Sequence, residues 1–167
     1  MSAMNTVHAI RRVWRGRVLA ASTTAKPMLR PVRHFTPDEA NAALEHVRPL
    51  VEHLVSCRAE HIAALERHED LEAKIRGNGG GIPPAQLAEA TAEVDALARR
   101  LAHLVDDINE HGAEVKDIDS GLIDFPALRN GETVLLCWRL GEDEIGFWHT
   151  TDDGFAGRRP LPLEEEG

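Results

Sequence analysis

Apolar positions between residues 37 and 111 recur with the spacing of amphipathic α-helices. The first stripe keeps heptad spacing and then drifts along later turns, through Leu44, Val47, Val51, Leu54, Val55, Ile62, Leu65, Leu71 and Ile75. The second seam is more regular, through Leu87, Ala90, Val94, Leu97, Leu101, Leu104 and Ile108. These patterns predict a helix over roughly 37–76 and another over about 84–111.

Local signals define how these helices begin and connect. Thr36 and Glu39 form a capping box around Pro37, which suits the first helical position. Pro49 predicts a kink or the start of a second segment. The Gly-rich stretch 77–84 is a turn, so the two helices form an antiparallel hairpin.

From residue 121 the apolar period changes to two, which is typical of strands. Asn130-Gly131 is a strong type I′ hairpin signal, and it pairs Asp124 with Cys137. A second turn with Glu142-Asp143 at its tip pairs Cys137 with Trp148. Together the two turns predict one apolar face of the sheet, made of Ile123, Phe125, Ala127, Val134, Leu136, Trp138, Leu140, Ile145 and Phe147, with His149 at its rim.

The predicted fold class is therefore α+β, with a long antiparallel helical hairpin packed on a small three- to four-stranded antiparallel sheet. We expect one domain over 34–167, comprising the hairpin 37–111, a β-meander 113–150 and a C-terminal tail 151–167. The sheet covers only the base of the hairpin. We therefore expect the tip to pack on a second copy as a homodimeric, coiled-coil-like four-helix arrangement.

Charge divides the chain into two parts. Residues 1–33 hold seven basic residues and no acidic one, whereas the remainder holds 12 basic and 28 acidic residues. The acidic body disfavours nucleic acid and anionic membranes as partners. Three interpretations of the basic tail stay open: a disordered segment or a start codon assigned too early, with Met4 or Met28 as the true start; a targeting presequence; or an arm that binds RNA or another partner.

Two Cys far apart in the sequence predict no disulfide framework and a cytoplasmic location. The sequence contains no run of about 18 apolar residues of the kind that spans a membrane. It also has no phosphate-binding loop, dinucleotide fingerprint, HExxH or CxxC motif, so no cofactor is predicted.

The predicted polar face of the sheet holds the best candidate site. We predict a small-molecule or peptide site at Asp124, Cys137, Arg139 and Trp148, because Trp and Arg are common binding anchors. The alternative is a structural ion pair beneath a Trp that the C-terminal tail covers.

Other chemistry is weaker. The predicted register places Cys137 and His149 on opposite faces, which argues against a nucleophile with its base or a shared metal. A three-residue tip, 142–144, would instead pair them. His53, Cys57 and His61 share a helix face, where a solvated polar surface is the alternative to a metal site.

Several segments resemble the bacterial DUF2203 family of uncharacterised proteins. They are FTPDEANAAL at 35–44, GLIDFP at 121–126, VLLCWRLGEDEIGFWH at 134–149 and GFAGRRPL at 154–161. The resemblance covers about 35–161 and implies no settled activity, cofactor or substrate.

The leading functional hypothesis is a non-enzymatic interaction or ligand-binding module that homodimerises through its helices. It presents the Leu122–Trp148 face to a protein or small-molecule partner. The alternative is a metal- or cofactor-binding protein, including a redox protein, that uses Cys137 and the His residues.

Overall fold

The chain folds as a helical hairpin followed by an antiparallel sheet. The computed structural model describes residues 33–78 and 81–163. Two helices, α1 (Pro37–Asn78) and α2 (Pro84–Glu110), precede the five strands and one short 3₁₀ helix (Phe155–Gly157). The strands are β1 (Glu114–Asp117), β2 (Leu122–Arg129), β3 (Glu132–Arg139), β4 (Phe147–Thr150) and β5 (Arg159–Pro160). They lie side by side in chain order, so the predicted α+β class is confirmed, with one short strand more than predicted.

The start of α1 follows the predicted capping box. The backbone N–H of Thr36 donates to Glu39 Oε2 at 2.9 Å, and the N–H of Glu39 donates to Thr36 Oγ1 at 3.2 Å. Two N–H groups that the helix itself cannot satisfy are thereby paired. The whole of α1 is 42 residues long, and the helix continues without interruption through Pro49. No second segment therefore begins at Pro49.

The hydrophobic core lies between the base of the hairpin and one face of the sheet, which we call the core face. The helices contribute Leu44, Val47, Val51, Leu54, Leu101, Leu104 and Ile108, all buried. The sheet contributes Ile123, Phe125, Ala127, Val134, Leu136 and Trp138. Because burying a large apolar side chain contributes about 1.5–3 kcal/mol, this base region supplies most of the apolar stabilisation.

The hairpin between β2 and β3 has the predicted register. Asp124 lies opposite Cys137, Phe125 opposite Leu136, and so on to Arg129 opposite Glu132. Asn130 and Gly131 have φ values of 52° and 81°, as a type I′ turn requires at both central positions. Local turn chemistry alone is therefore enough to set this register.

The predicted register between β3 and β4 is wrong by one residue. Cys137 lies opposite Phe147, Leu136 opposite Trp148, and Leu135 opposite His149. A shift of one residue moves every side chain of a strand to the other face of the sheet. Trp148 therefore joins the buried core cluster, whereas Phe147 and His149 lie on the opposite side, which we call the outer face.

The loop between β3 and β4, residues 140–146, explains this difference. The predicted two-residue tip at Glu142-Asp143 does not form, and side chains of α1 hold the loop through hydrogen bonds. The guanidinium of Arg48 donates to the carbonyl oxygens of Glu142, at 3.0 Å, and Asp143. Asn41 Oδ1 accepts the N–H of Ile145 at 2.8 Å, and Trp138 Nε1 donates to Glu142 O at 2.9 Å. Side chains of α1 thus fix where β4 begins.

The C-terminal segment folds back onto the sheet through Arg158, Arg159, Leu161 and Leu163. Arg158 forms an ion pair with Glu142 at 2.8 Å and lies over the ring of Phe147. Arg159 pairs with Asp153 at 3.4 Å. Leu161 and Leu163 pack against the core.

Two further expectations concern the basic tail and the absence of a membrane-spanning segment. Apart from Arg33, which lies over the ring of Phe35, the basic tail 1–33 falls outside the described residues, as do residues 164–167. Neither described helix combines the length and apolar character that crossing a membrane requires.

Replacing Arg48 by Ala is expected to lower the free energy of unfolding by about 1.5–3 kcal/mol, the usual contribution of hydrogen bonds from a charged donor. The control is Arg76→Ala, which removes only an exposed pair with Glu72 on the same helix and is expected to cost about 0–0.5 kcal/mol. Urea denaturation measures both. Equal losses in the two variants would contradict the anchoring role of Arg48.

Candidate functional site

Three polar side chains converge on the outer face of the sheet. Asp124 on β2, Cys137 on β3 and His149 on β4 each offer an atom able to bind a metal, and these atoms all lie within 4.8 Å of one another. The exposed fractions of the three residues are 1%, 0% and 3%. A carboxyl, a thiol and an imidazole are thus held together away from solvent. We call this group the Asp–Cys–His cluster.

Strand pairing explains the convergence. Asp124 lies directly opposite Cys137, and His149 lies opposite Leu135, two residues from Cys137 on the same face. Diagonal neighbours in a sheet are within reach of long side chains. His149 therefore reaches across β3 to Asp124, and its Nε2 lies 3.3 Å from Asp124 Oδ2.

The imidazole of His149 is oriented by the backbone of the next residue, Thr150. Nδ1 lies 2.7 Å from the carbonyl oxygen of Thr150. A carbonyl oxygen only accepts hydrogen bonds, so Nδ1 carries the proton and Nε2 faces the cluster. This second interaction fixes the tautomer, as it does in histidines that bind metals.

The carboxyl group of Asp124 is only partly satisfied. Among the described residues Oδ1 has no hydrogen-bond partner, whereas Oδ2 lies 3.3 Å from His149 Nε2 and forms a long ion pair with Lys116 Nζ at 4.0 Å. Lys116 itself pairs more closely with Glu114, at 2.6 Å. Burial raises the pKa of Asp124, while neighbouring His149, a hydrogen bond from the Cys137 thiol and the charge of Lys116 oppose the rise. Because an unsatisfied buried oxygen costs about 1–3 kcal/mol, this position is costly for folding alone.

The thiol of Cys137 is a poor nucleophile in this environment. Burial, reinforced by the Asp124 carboxylate, raises the pKa of Cys137 to about 12. Because of this high pKa, almost no thiolate is present at neutral pH. The thiolate is the reactive form of cysteine, so the thiol is unreactive here. In addition, Nδ1 of His149 is engaged with backbone and Nε2 faces Asp124, so the geometry does not provide a base dedicated to the thiol.

The structure brings together some of the predicted site residues and separates others. Asp124 and Cys137 are adjacent, as predicted. Arg139 is exposed, lies over the ring of Phe155 at 5.4 Å and forms no ion pair with Asp124 within residues 33–78 and 81–163. Trp148 lies on the core face, with Arg129 and Arg159 over its ring. The Trp is therefore not part of the cluster.

Sequence reasoning considered His149 but placed it on the wrong face of the sheet, and it missed Lys116. The prediction that His149 and Cys137 lie on opposite faces is wrong, because it depended on the two-residue turn at Glu142-Asp143. In the observed register, Asp124, Cys137 and His149 all lie on the same face of the sheet. Lys116 lies beside an irregularity in the pairing of β1 with β2, which a period-two pattern does not reveal.

The helical candidates His53, Cys57 and His61 do not form a comparable group. Cys57 is buried with its sulfur 3.8 Å from the carbonyl oxygen of Leu97, whereas His53 is exposed. In the part of the chain that the structure describes, the Asp–Cys–His cluster is the one group of three potential ligands.

The fold and site define an α+β protein with a helical hairpin on a five-stranded meander and a buried Asp–Cys–His cluster. The chain belongs to the family described as "Uncharacterized conserved protein (DUF2203)", which matches residues 33–161. This match confirms the resemblance found in the sequence. No curated protein and no solved structure matches the chain.

Asp124→Asn is expected to change how stability depends on pH in protein kept metal-free with a chelator. The folded-state pKa of Asp124 lies above its ordinary value of 3.8, so the folded chain holds this proton more tightly than the unfolded chain. The wild-type free energy of unfolding therefore falls, relative to that of Asp124→Asn, as pH rises through the folded-state pKa.

Urea denaturation across a pH series measures this difference. Asp152→Asn, at an exposed position, controls for the substitution itself. A wild-type advantage that grows with rising pH would contradict the raised pKa.

Proposed function

We propose that this protein binds a divalent transition metal of the zinc class through Asp124, Cys137 and His149. The observation that supports the proposal is the convergence of three buried ligand atoms of different chemistry within 4.8 Å. Ligand atoms on one tetrahedral zinc lie about 3–4 Å apart, which follows from bond lengths of about 2.0–2.3 Å. Small rotamer adjustments would bring this cluster to that spacing.

The donor set favours particular metals. A thiolate and an imidazole suit zinc, cobalt or copper, whereas magnesium and calcium prefer oxygen ligands throughout. Three protein ligands leave a fourth position for water or a substrate atom, which is the arrangement of catalytic zinc sites. Structural zinc sites instead have four protein ligands. A ligand-binding role is thus compatible with this arrangement.

Charge supports the same proposal. Burial raises the pKa of both Asp124 and Cys137, and the Asp124 carboxylate raises the pKa of Cys137 further. A divalent cation between them would neutralise the pair and displace the thiol proton. It would also give the unpaired Oδ1 of Asp124 an electrostatic partner.

The neighbouring groups would orient such a metal. The hydrogen bond from His149 Nδ1 to Thr150 O directs Nε2 toward the cluster. Arg158 donates to the carbonyl oxygen of Cys137 at 3.4 Å and ties it to Glu142. These contacts would hold two of the three ligands on backbone segments that are themselves fixed, which is how outer groups usually tune a metal site.

Cobalt(II) titration of the full-length, chelator-treated protein tests the proposal. Cobalt bound to a thiolate gives a near-ultraviolet charge-transfer band, and tetrahedral geometry gives intense visible bands. We expect both bands with one cobalt per chain, and their loss when zinc is added. Zinc at about 100 times its dissociation constant should raise the free energy of unfolding by about 2.7 kcal/mol.

Matched variants locate the metal. Cys137→Ala should abolish the charge-transfer band, whereas Cys57→Ala, which removes the other buried cysteine, should retain it. His149→Ala should weaken binding, whereas the exposed His53→Ala should not. An absent band in the wild type, or equal loss in both cysteine variants with intact circular dichroism, would refute the proposal.

A further inference from the structure

The distal half of the helical hairpin is thinly packed. Among the described residues beyond Cys57 in α1 and before Leu101 in α2, only Ala64 is buried. Of the larger apolar side chains of this half, Ile62 is exposed, and the others are only partly covered: Leu65, Leu71, Ile75, Leu87, Val94 and Leu97. Two helices alone do not cover an apolar stripe of this width, since a third or fourth helix normally completes it.

A groove runs between the helices in this region. Its volume is about 460 Å³, and its floor consists of Ala63, Ala96 and Leu97. Alanines at the floor leave room for another helix to approach closely, because the distance between packed helices depends on side-chain size at the contact. The shape therefore suits a helix.

The rim of the groove carries two acidic and two basic side chains. Arg67 and Glu93 pair with each other across the helices at 2.7 Å. The other two, Glu60 and Arg100, form no ion pair or hydrogen bond in the described ranges, 33–78 and 81–163. The groove thus carries one further charge of each sign beside its apolar floor.

We propose that a second copy of this chain docks in this groove and completes a four-helix arrangement. A two-fold axis brings the same patch of each copy together, so Arg100 of each copy meets Glu60 of the other. The patch is complementary to itself in charge, which a partner of one sign would not match. The interface does not depend on the metal site, which lies on the sheet.

Light scattering coupled to size-exclusion chromatography of the full chain tests this proposal. The expected mass is twice the 18.4 kDa of one chain. Ala96→Arg places a long charged side chain on the groove floor and should reduce the mass to that of one chain. Ala102→Arg, at an exposed position of α2 outside the groove, should leave the dimer intact.

Charge reversal gives an independent test that does not alter the floor. Arg100→Glu should raise the dimer dissociation constant by at least about tenfold through like-charge contacts. Adding Glu60→Arg should restore wild-type association. A wild-type chain that stays monomeric at micromolar concentration, equal dissociation in Ala102→Arg, or a double variant no tighter than Arg100→Glu would overturn the proposal. Circular dichroism checks that each variant is folded.

Discussion

The contact between α1 and the loop 140–146 determines much of this structure. Arg48 and Asn41 form hydrogen bonds with three residues of this loop, Glu142, Asp143 and Ile145. These bonds set the residue at which β4 enters the sheet. Because strand side chains alternate, that single choice decides whether Trp148 or His149 faces the core. The Asp–Cys–His cluster exists on the outer face because the helix fixes the loop.

The sheet consequently has two different surfaces. On the core face, Trp138 and Leu136 pack against the base of the hairpin. On the outer face, three polar side chains are buried together, and Oδ1 of Asp124 has no hydrogen-bond partner among the described residues, which is costly unless something else pairs with it. The residues that stabilise the fold and the cluster proposed to bind a metal thus lie on opposite faces of the same sheet. The hairpin shows a similar division, since its base supplies the core and its distal half retains an open groove.

Features that depend on short-range chemistry could be predicted from the sequence. The capping box at Thr36 and Glu39 and the Asn130-Gly131 turn each involve neighbouring residues, and both occur as predicted. The register of β4 could not be predicted, because it depends on Arg48, 94 residues away from Glu142 along the chain. The sequence therefore predicted two residues of the Asp–Cys–His cluster and not the third. Asp124 and Cys137 follow from the local turn, whereas His149 follows from the distant contact.

The pairing of β3 with β4 can be measured directly by nuclear Overhauser effects in solution. The account predicts cross-strand contacts of Leu135 with His149 and of Cys137 with Phe147, the pairs that face each other in the structure. Cross-strand contacts of Leu136 with His149 and of Cys137 with Trp148 would instead place the imidazole on the core face. That result would contradict the existence of the Asp–Cys–His cluster.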